Sequence, residues 1–287
     1  MASETLHTVL GPPIEDPDEE TFLLFSQELP SNSLGFVDSH VDTLQYEIAG
    51  RTYVVRQSPG LLTSTRSRGT TGAVLWKITP LLASWLASLP PLLTSIHALH
   101  PDATIVELGC GLTGLIGLVL SRMVKCYILT DQEYVMKRLK DNISAHPVSS
   151  PKPGPKQMKK GDSTKPGQEQ VLKTVPLDWE TDDAENLKCV ISPEASIDLL
   201  LLCDCVYNDF LIPPLVQTCV DICRLGSSQT KPTVVLIAQQ LRSDSIFELF
   251  LDRMMKHFNV WRVPDEKISV ELRCGSGYVV HMATLQD

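Results

Sequence analysis

The chain lacks any spacing suited to a metal. Its 8 cysteines include no C-x-x-C pair, and Cys203-x-Cys205 and Cys219-xxx-Cys223 fall in apolar segments. No metal site is expected, and the thiols read as reduced core residues, small and apolar in behaviour. A basic surplus is also missing. Lys and Arg number 25 against 34 Asp and Glu, a formal charge of −9. Phosphates would be repelled, so direct nucleic-acid binding is not expected, and a basic partner suits the chain better. No run reaches the ~18 apolar residues of a membrane span. Met1 to Pro30 has no basic region followed by a continuous apolar stretch, so neither a membrane segment nor a secretory signal is expected. The expected compartment is the cytoplasm, with the nucleus as a second location. There is no internal repeat.

What is present is a core. Over 287 residues the hydrophobic fraction is 43%, enough for one large domain. The chain is organised around Thr104-Ile-Val-Glu-Leu-Gly-Cys-Gly-Leu-Thr-Gly114. Ile105, Val106 and Leu108 read as the end of a buried parallel strand. Gly109, Gly111 and Gly114 fill a G-x-G-x-x-G turn, and Leu115 to Arg122 continue as an apolar helix. Glycine lets the backbone turn sharply and approach a ligand, while a helix start offers free N–H groups. A second strand, Lys125 to Thr130, ends at Asp131, about 20 residues on, where a carboxylate can accept from ribose hydroxyls. This order predicts a nucleoside cofactor, and both a pyrophosphate dinucleotide and S-adenosylmethionine suit such a crevice. Glu107, two residues before Gly109, and the roughly hundred residues preceding the strand favour S-adenosylmethionine.

Further elements follow in order. Glu15 to Glu20 is an acidic exposed tract, and Phe22 to Phe25 are expected to dock as a short helix. Leu44 to Ile48, Ala49-Gly50 and Thr52 to Arg56 predict a β-hairpin. Gly72 to Leu89 carries a buried helical face, with Pro80 in the first turn. Gln132 to His146 is an amphipathic helix. Pro147 to Gln170, rich in Pro, Lys, Ser and Gly, cannot bury a core and reads as a disordered, solvated insertion. Val171 to Leu177, Ile197 to Cys203 and Thr233 to Ala238 predict strands, with helices at Leu211 to Leu225 and Ser245 to His257. Ser269 to Leu272 and Tyr278 to Leu285 predict terminal strands. Alternating strands and helices indicate an α/β fold with a doubly wound, Rossmann-like seven-strand sheet and an N-terminal hairpin extension. The expected division is an N-terminal tail and hairpin over 1–70 and a cofactor-binding domain over 71–287.

Asp204-Cys-Val-Tyr207 lies just past the fourth strand, where open α/β sheets bind ligands. Taken alone, this D-x-x-Y reads equally as a site or as a hydrogen-bonded turn. Together, Trp76, Glu107-Leu-Gly-Cys-Gly111, Asp131, Asp178-Trp179 and Asp204-Cys-Val-Tyr207 resemble the family-16 seven-strand protein-lysine methyltransferases over roughly residues 44 to 285. The stretch from Asp204 through Ile212-Pro-Pro to Cys223 is most similar to the fungal ribosomal lysine N-methyltransferase 5 group. The resemblance implies S-adenosylmethionine as cofactor, lined by Trp76, Glu107, Gly109, Cys110, Gly111, Asp131, Trp179 and Cys203. It implies Asp204 and Tyr207 as the catalytic pair bordering the acceptor, and a ribosomal protein as substrate; a basic protein partner and a monomeric chain are expected. The insertion after His146 departs from the pattern. Open alternatives are a methyltransferase of a non-ribosomal protein or small molecule, and an inactive cofactor-binding scaffold. No N-P-P-Y signature of adenine or glutamine methylation is present.

Overall fold

A computed structural model describes residues 2–30, 35–38, 40–61, 71–147, 171–192, 195–226 and 232–286. Beyond Pro147, the expected disordered insertion lies outside the described residues. The elements run α1 (Ala2–Leu10), α2 (Pro17–Phe25), β1 (Thr43–Ile48), β2 (Arg51–Arg56), α3 (Ile78–Ala87), α4 (Pro91–Ser95), β3 (Thr104–Leu108), α5 (Leu115–Leu120), β4 (Cys126–Asp131) and α6 (Glu133–Ser144). They continue as β5 (Leu172–Pro176), β6 (Leu199–Cys203), α7 (Ile212–Gly226), β7 (Val234–Gln240), α8 (Asp244–Met255), β8 (Phe258–Arg262) and β9 (Tyr278–Leu285).

Seven strands form one sheet in the order β5-β4-β3-β6-β7-β9-β8. The first five are parallel, and β9 runs antiparallel to both its neighbours. β3, β6 and β7 are buried along their whole length, as strands covered on both faces must be. Alternate residues serve two cores. Ile105, Leu199 and Leu201 pack with Leu82 and Leu86 of α3 and Leu115 of α5. Val106, Leu200 and Leu202 pack with Leu215 of α7 and Phe250 of α8. The period of two, repeated along each central strand, fixes which helices cover which face.

The predicted hairpin forms. Its two turn residues, Ala49 and Gly50, have φ of 50° and 71°, the left-handed pair that matches strand twist. Asn142 of α6 ties the hairpin inward, donating to the carbonyls of Arg56 at 2.8 Å and Leu112 at 2.7 Å. Near the amino end, Asp16 caps α2, accepting from the amide of Asp18 at 2.9 Å, with Pro17 in the first turn. Leu24 is buried, and Glu20 reaches His281 of β9 at 3.0 Å, so α2 docks as expected while Phe22 stays exposed.

One strand differs from expectation. Ser269 to Leu272 is no strand; Val270–Leu272 form a single 3-10 turn. The seventh strand is β8, directly after α8. Phe258 and Val260 pack into the α7–α8 core while Trp261 packs into the other. The helix pattern of α8 runs into this strand with only Lys256 and His257 between, so no Gly or Pro marks the change. The alternation of Val270 and Leu272 is satisfied by a turn that buries Leu272 alone.

Candidate active site

Strand order reverses between β3 and β6, so the loops after their carboxyl ends diverge and leave a crevice. A cleft opens there, walled also by the approach to α3 and the turns after β4 and β5. Trp76, Glu107, Gly109, Cys110, Gly111, Asp131, Trp179, Cys203, Asp204 and Tyr207 all line it. The topology thus gathers every residue singled out in the sequence.

The glycine turn forms the floor. Gly109 and Gly111 have φ of 62° and 65°, which L side chains rarely adopt. A Cβ at Gly109 would also lie 3.1 Å from Cys205 Sγ and 3.2 Å from the Trp179 ring. The loop is held from outside: Gly111 donates to Asp131 Oδ2 at 2.8 Å, and the Leu112 amide donates to the Gly72 carbonyl at 2.9 Å. Gln132 donates to the other oxygen of Asp131 at 2.7 Å. Burial pushes the Asp131 carboxyl up to about 6 against these two donors. Glu107, at the end of β3, is 1% exposed and accepts from the Tyr127 hydroxyl at 2.7 Å. Burial pushes it up to about 8 despite that bond.

Val74, Leu75, Leu177 and Trp179 supply apolar walls. Trp76 donates its indole N–H to the Thr71 carbonyl at 3.1 Å, and Phe36 packs on its ring at 4.5 Å between centroids. Cys110, Cys203 and Cys205 reach the same space, but burial drives all three thiols well up. They stay protonated and are poor nucleophiles.

The D-x-x-Y segment is organised from below. Asp204 has φ of 60°, and its amide donates to Ala238 of β7 at 2.8 Å. Its carboxylate does not face the open cleft. The side chain is 1% exposed and meets the guanidinium of Arg242 through both oxygens, at 2.7 and 2.5 Å. Gln239 Nε2 donates to the same carboxylate at 3.0 Å and to the Val206 carbonyl at 2.7 Å. The Tyr207 side chain hydrogen-bonds Thr71, and burial raises its hydroxyl, so it remains a neutral phenol. Gln239 and Arg242 were not singled out in the sequence. The available signal was a polar run, Gln239-Gln240-Leu241-Arg242, interrupting an apolar strand at its carboxyl end.

The lining decides between the two cofactor classes. It carries Asp131, Asp178 and Glu180 and no Lys or Arg among the described lining residues, while Glu107 keeps its proton below about pH 8 and Asp204 is paired with Arg242. Such a surface repels a pyrophosphate and attracts a sulfonium or an ammonium group. The glycine positions that a Cβ would obstruct, the apolar walls and the carboxylate at the strand end fit S-adenosylmethionine.

Comparison with known proteins agrees. The lysine methyltransferase family matches residues 56–257. Ribosomal lysine N-methyltransferase 5 of Zygosaccharomyces rouxii is 30% identical over 234 residues, covering 72% of this chain and 72% of that protein. Its Candida glabrata namesake is 29% identical over 251 residues, covering 72% of this chain and 70% of that protein. A Schizosaccharomyces pombe protein named diaminohydroxyphosphoribosylamino-pyrimidine deaminase is 29% identical over 258 residues, or 89% of this chain. The chain spans only 55% of that protein's length. With the family matched over most of the chain and the cleft suited to its methyl donor, the chain belongs to the lysine methyltransferases that use S-adenosylmethionine.

Proposed function

We propose that this protein methylates the ε-amine of a lysine on a basic protein, with a large-subunit ribosomal protein as the target. The observation that carries this reading is the acid-lined cleft without a basic side chain among its described lining residues. The carboxylates of Asp131, Asp178 and Glu180 favour an ammonium over a phosphate there. The ribosomal target is supported by the names of two relatives that match about seven-tenths of this chain. None of the eight cysteines forms a disulfide, and a cytosolic location is part of the proposal.

Asp131 would hold the ribose hydroxyls with the lone pairs left over from Gly111 and Gln132. Val74, Leu75, Leu177 and Trp179 would pack on the base. When bound, the cofactor supplies an electrophilic methyl group. A lysine amine has a reference pKa near ~10.4 and must lose its proton before it can attack. Partial desolvation in the cleft lowers that value, as does a neighbouring positive charge. Neither member of the D-x-x-Y pair is free to take the proton: Asp204 is engaged by Arg242 and the Tyr207 phenol is neutral. The proton leaves to solvent, and the cleft's contribution is orientation of the amine.

The test is incubation with tritiated S-adenosylmethionine and dissociated large-subunit proteins, followed by acid hydrolysis of the labelled band. The expected product is N-methyl-lysine in one basic protein. Label in RNA or in small molecules with none in protein would overturn the reading, and so would cofactor binding with no transfer at all.

A further inference from the structure

Arg242 stands two residues past β7 and does not line the cleft, yet it joins two groups that do. Its fork meets both oxygens of Asp204, and Nη2 donates to Gln240 Oε1 at 3.1 Å. That same amide oxygen accepts from the Gly35 amide at 2.9 Å. The guanidinium carbon lies 4.7 Å from the centroid of the Trp76 ring, within range of a cation–π contact. Trp76 pairs with Phe36 as an isolated antiparallel bridge. The guanidinium therefore touches the D-x-x-Y loop and the cleft tryptophan directly, and reaches segment 35–37 through Gln240.

Two physical points give the contact weight. Asp204 sits in the left-handed region without being glycine, a strained conformation that persists only where its surroundings fix it. Oδ1 takes donors from Arg242, Gln239 and the Gln240 amide, and Oδ2 takes Arg242, so the surroundings do fix it. Arginine is also specific here. Only a planar fork can meet two carboxylate oxygens and lie against an indole together; a lysine ammonium cannot.

We infer that Arg242 is a positioning residue for methyl transfer, holding the Asp204 loop and the Trp76 indole as one unit, with the Asp204 carboxylate engaged by the guanidinium rather than offered to the amine. This rests on the lysine-methylating reading of the cleft. Arg242 and Asp204 act on the reaction through a shared geometry, so their effects overlap. Neither side chain touches the acceptor.

The experiment is single-turnover transfer of tritiated methyl to dissociated large-subunit ribosomal proteins, with S-adenosylhomocysteine affinity and melting temperature measured on the same preparations. The variants are Arg242→Gln, Arg242→Lys, Asp204→Asn and the double Asp204→Asn/Arg242→Gln. Each single neutral variant is expected to slow transfer about 10- to 150-fold, the worth of one charge-assisted hydrogen bond. Cofactor-product affinity should hold within about threefold, since the effect lies in the transfer step. The double variant should be no slower than the slower single, because both remove one unit. Arg242→Lys should recover little, because it keeps charge and loses the fork.

Three results would overturn the inference. They are multiplying losses in the double variant, full rescue by lysine, and a loss of melting temperature and affinity with normal turnover per folded molecule. Should a single variant fail to fold through its unpaired buried charge, the double leaves no such charge and is read instead. A folded double with the wild-type rate overturns the role; a slowed one supports it. A wild-type protein that labels no band rejects the lysine reading itself, and the positioning role with it.

Discussion

The main-chain amide of Gly111 donates to Oδ2 of Asp131 across 2.8 Å, so the carboxylate expected to meet a ribose also braces the glycine loop. The two duties separate by substitution. Asp131→Asn keeps an oxygen for the Gly111 amide, sets its NH2 toward the Gln132 amide and loses the charge. It should melt modestly below the wild type and bind S-adenosylhomocysteine about tenfold more weakly, the difference between a charged and a neutral acceptor. Asp131→Ala should lose both stability and binding. Calorimetry and thermal melts on the two variants check this; equal stability loss in both would show that the charge, not the brace, holds the loop.

Glu107 makes stability depend on pH. Its folded value is about 8, against roughly 4.3 in an unfolded chain. Between those values the folded protein keeps a proton that the unfolded chain has released. The stability from this group is full below about pH 4.3 and is lost as pH rises through 8. Asp131, raised to about 6, adds the same sign over a lower window. Glu107→Gln stays neutral and still accepts from Tyr127. It should melt above the wild type at about pH 8.5, with the gap closing toward about pH 5. Melts without cofactor at both pH values check it; a gap that ignores pH would mean the buried proton is absent.

Gly114 and Gly50 both have positive φ, 54° and 71°, but differ in what surrounds them. A Cβ at Gly114 would lie 2.6 Å from Leu139 Cδ1 and 3.2 Å from Leu129 Cδ1, whereas one at Gly50 meets nothing within 4 Å. Gly50→Ala should cost about 1 kcal/mol of backbone strain alone. Gly114→Ala adds an overpacking cost of about 1–3 kcal/mol and should melt several degrees lower. Denaturant midpoints for the two variants give the comparison. Equal losses would mean that α5 and α6 part freely to admit the methyl group.

Much of the fold is local and so was legible. The glycine turn, the acid at the end of β4 and the hairpin each rest on a few adjacent residues whose backbone demands are specific. The cleft was legible as a set of residues, because carboxyl ends of parallel strands share one edge of the sheet. The orientation of Asp204 was not. It depends on Arg242, 38 residues away, and a strand end shows no sign of what its neighbour's loop carries. Trp76 could be picked out only by resemblance, since an indole beside an apolar helix otherwise reads as packing. β8 was missed because a helix abuts it without a breaker.

The place of β9 between β7 and β8 bears on how the protein is made. β7, whose carboxyl end carries the residues that fix Asp204, has its outer edge covered, among the described residues, by residues 278–284. The same strand supplies His281, on which Glu20 of α2 is seated. Translation therefore has to reach residue 284 before β7 has its outer partner, whereas α2 already meets α8 through Phe25 and Phe247. Until then β7 presents an open apolar edge, a template for pairing with other chains. Long-range antiparallel closure is also slow relative to local structure. A nascent chain of this protein is exposed to misassembly until residue 284 has been made, and a ribosome stalled before codon 278 would release a product that carries every cofactor-facing residue of the cleft and cannot close its sheet.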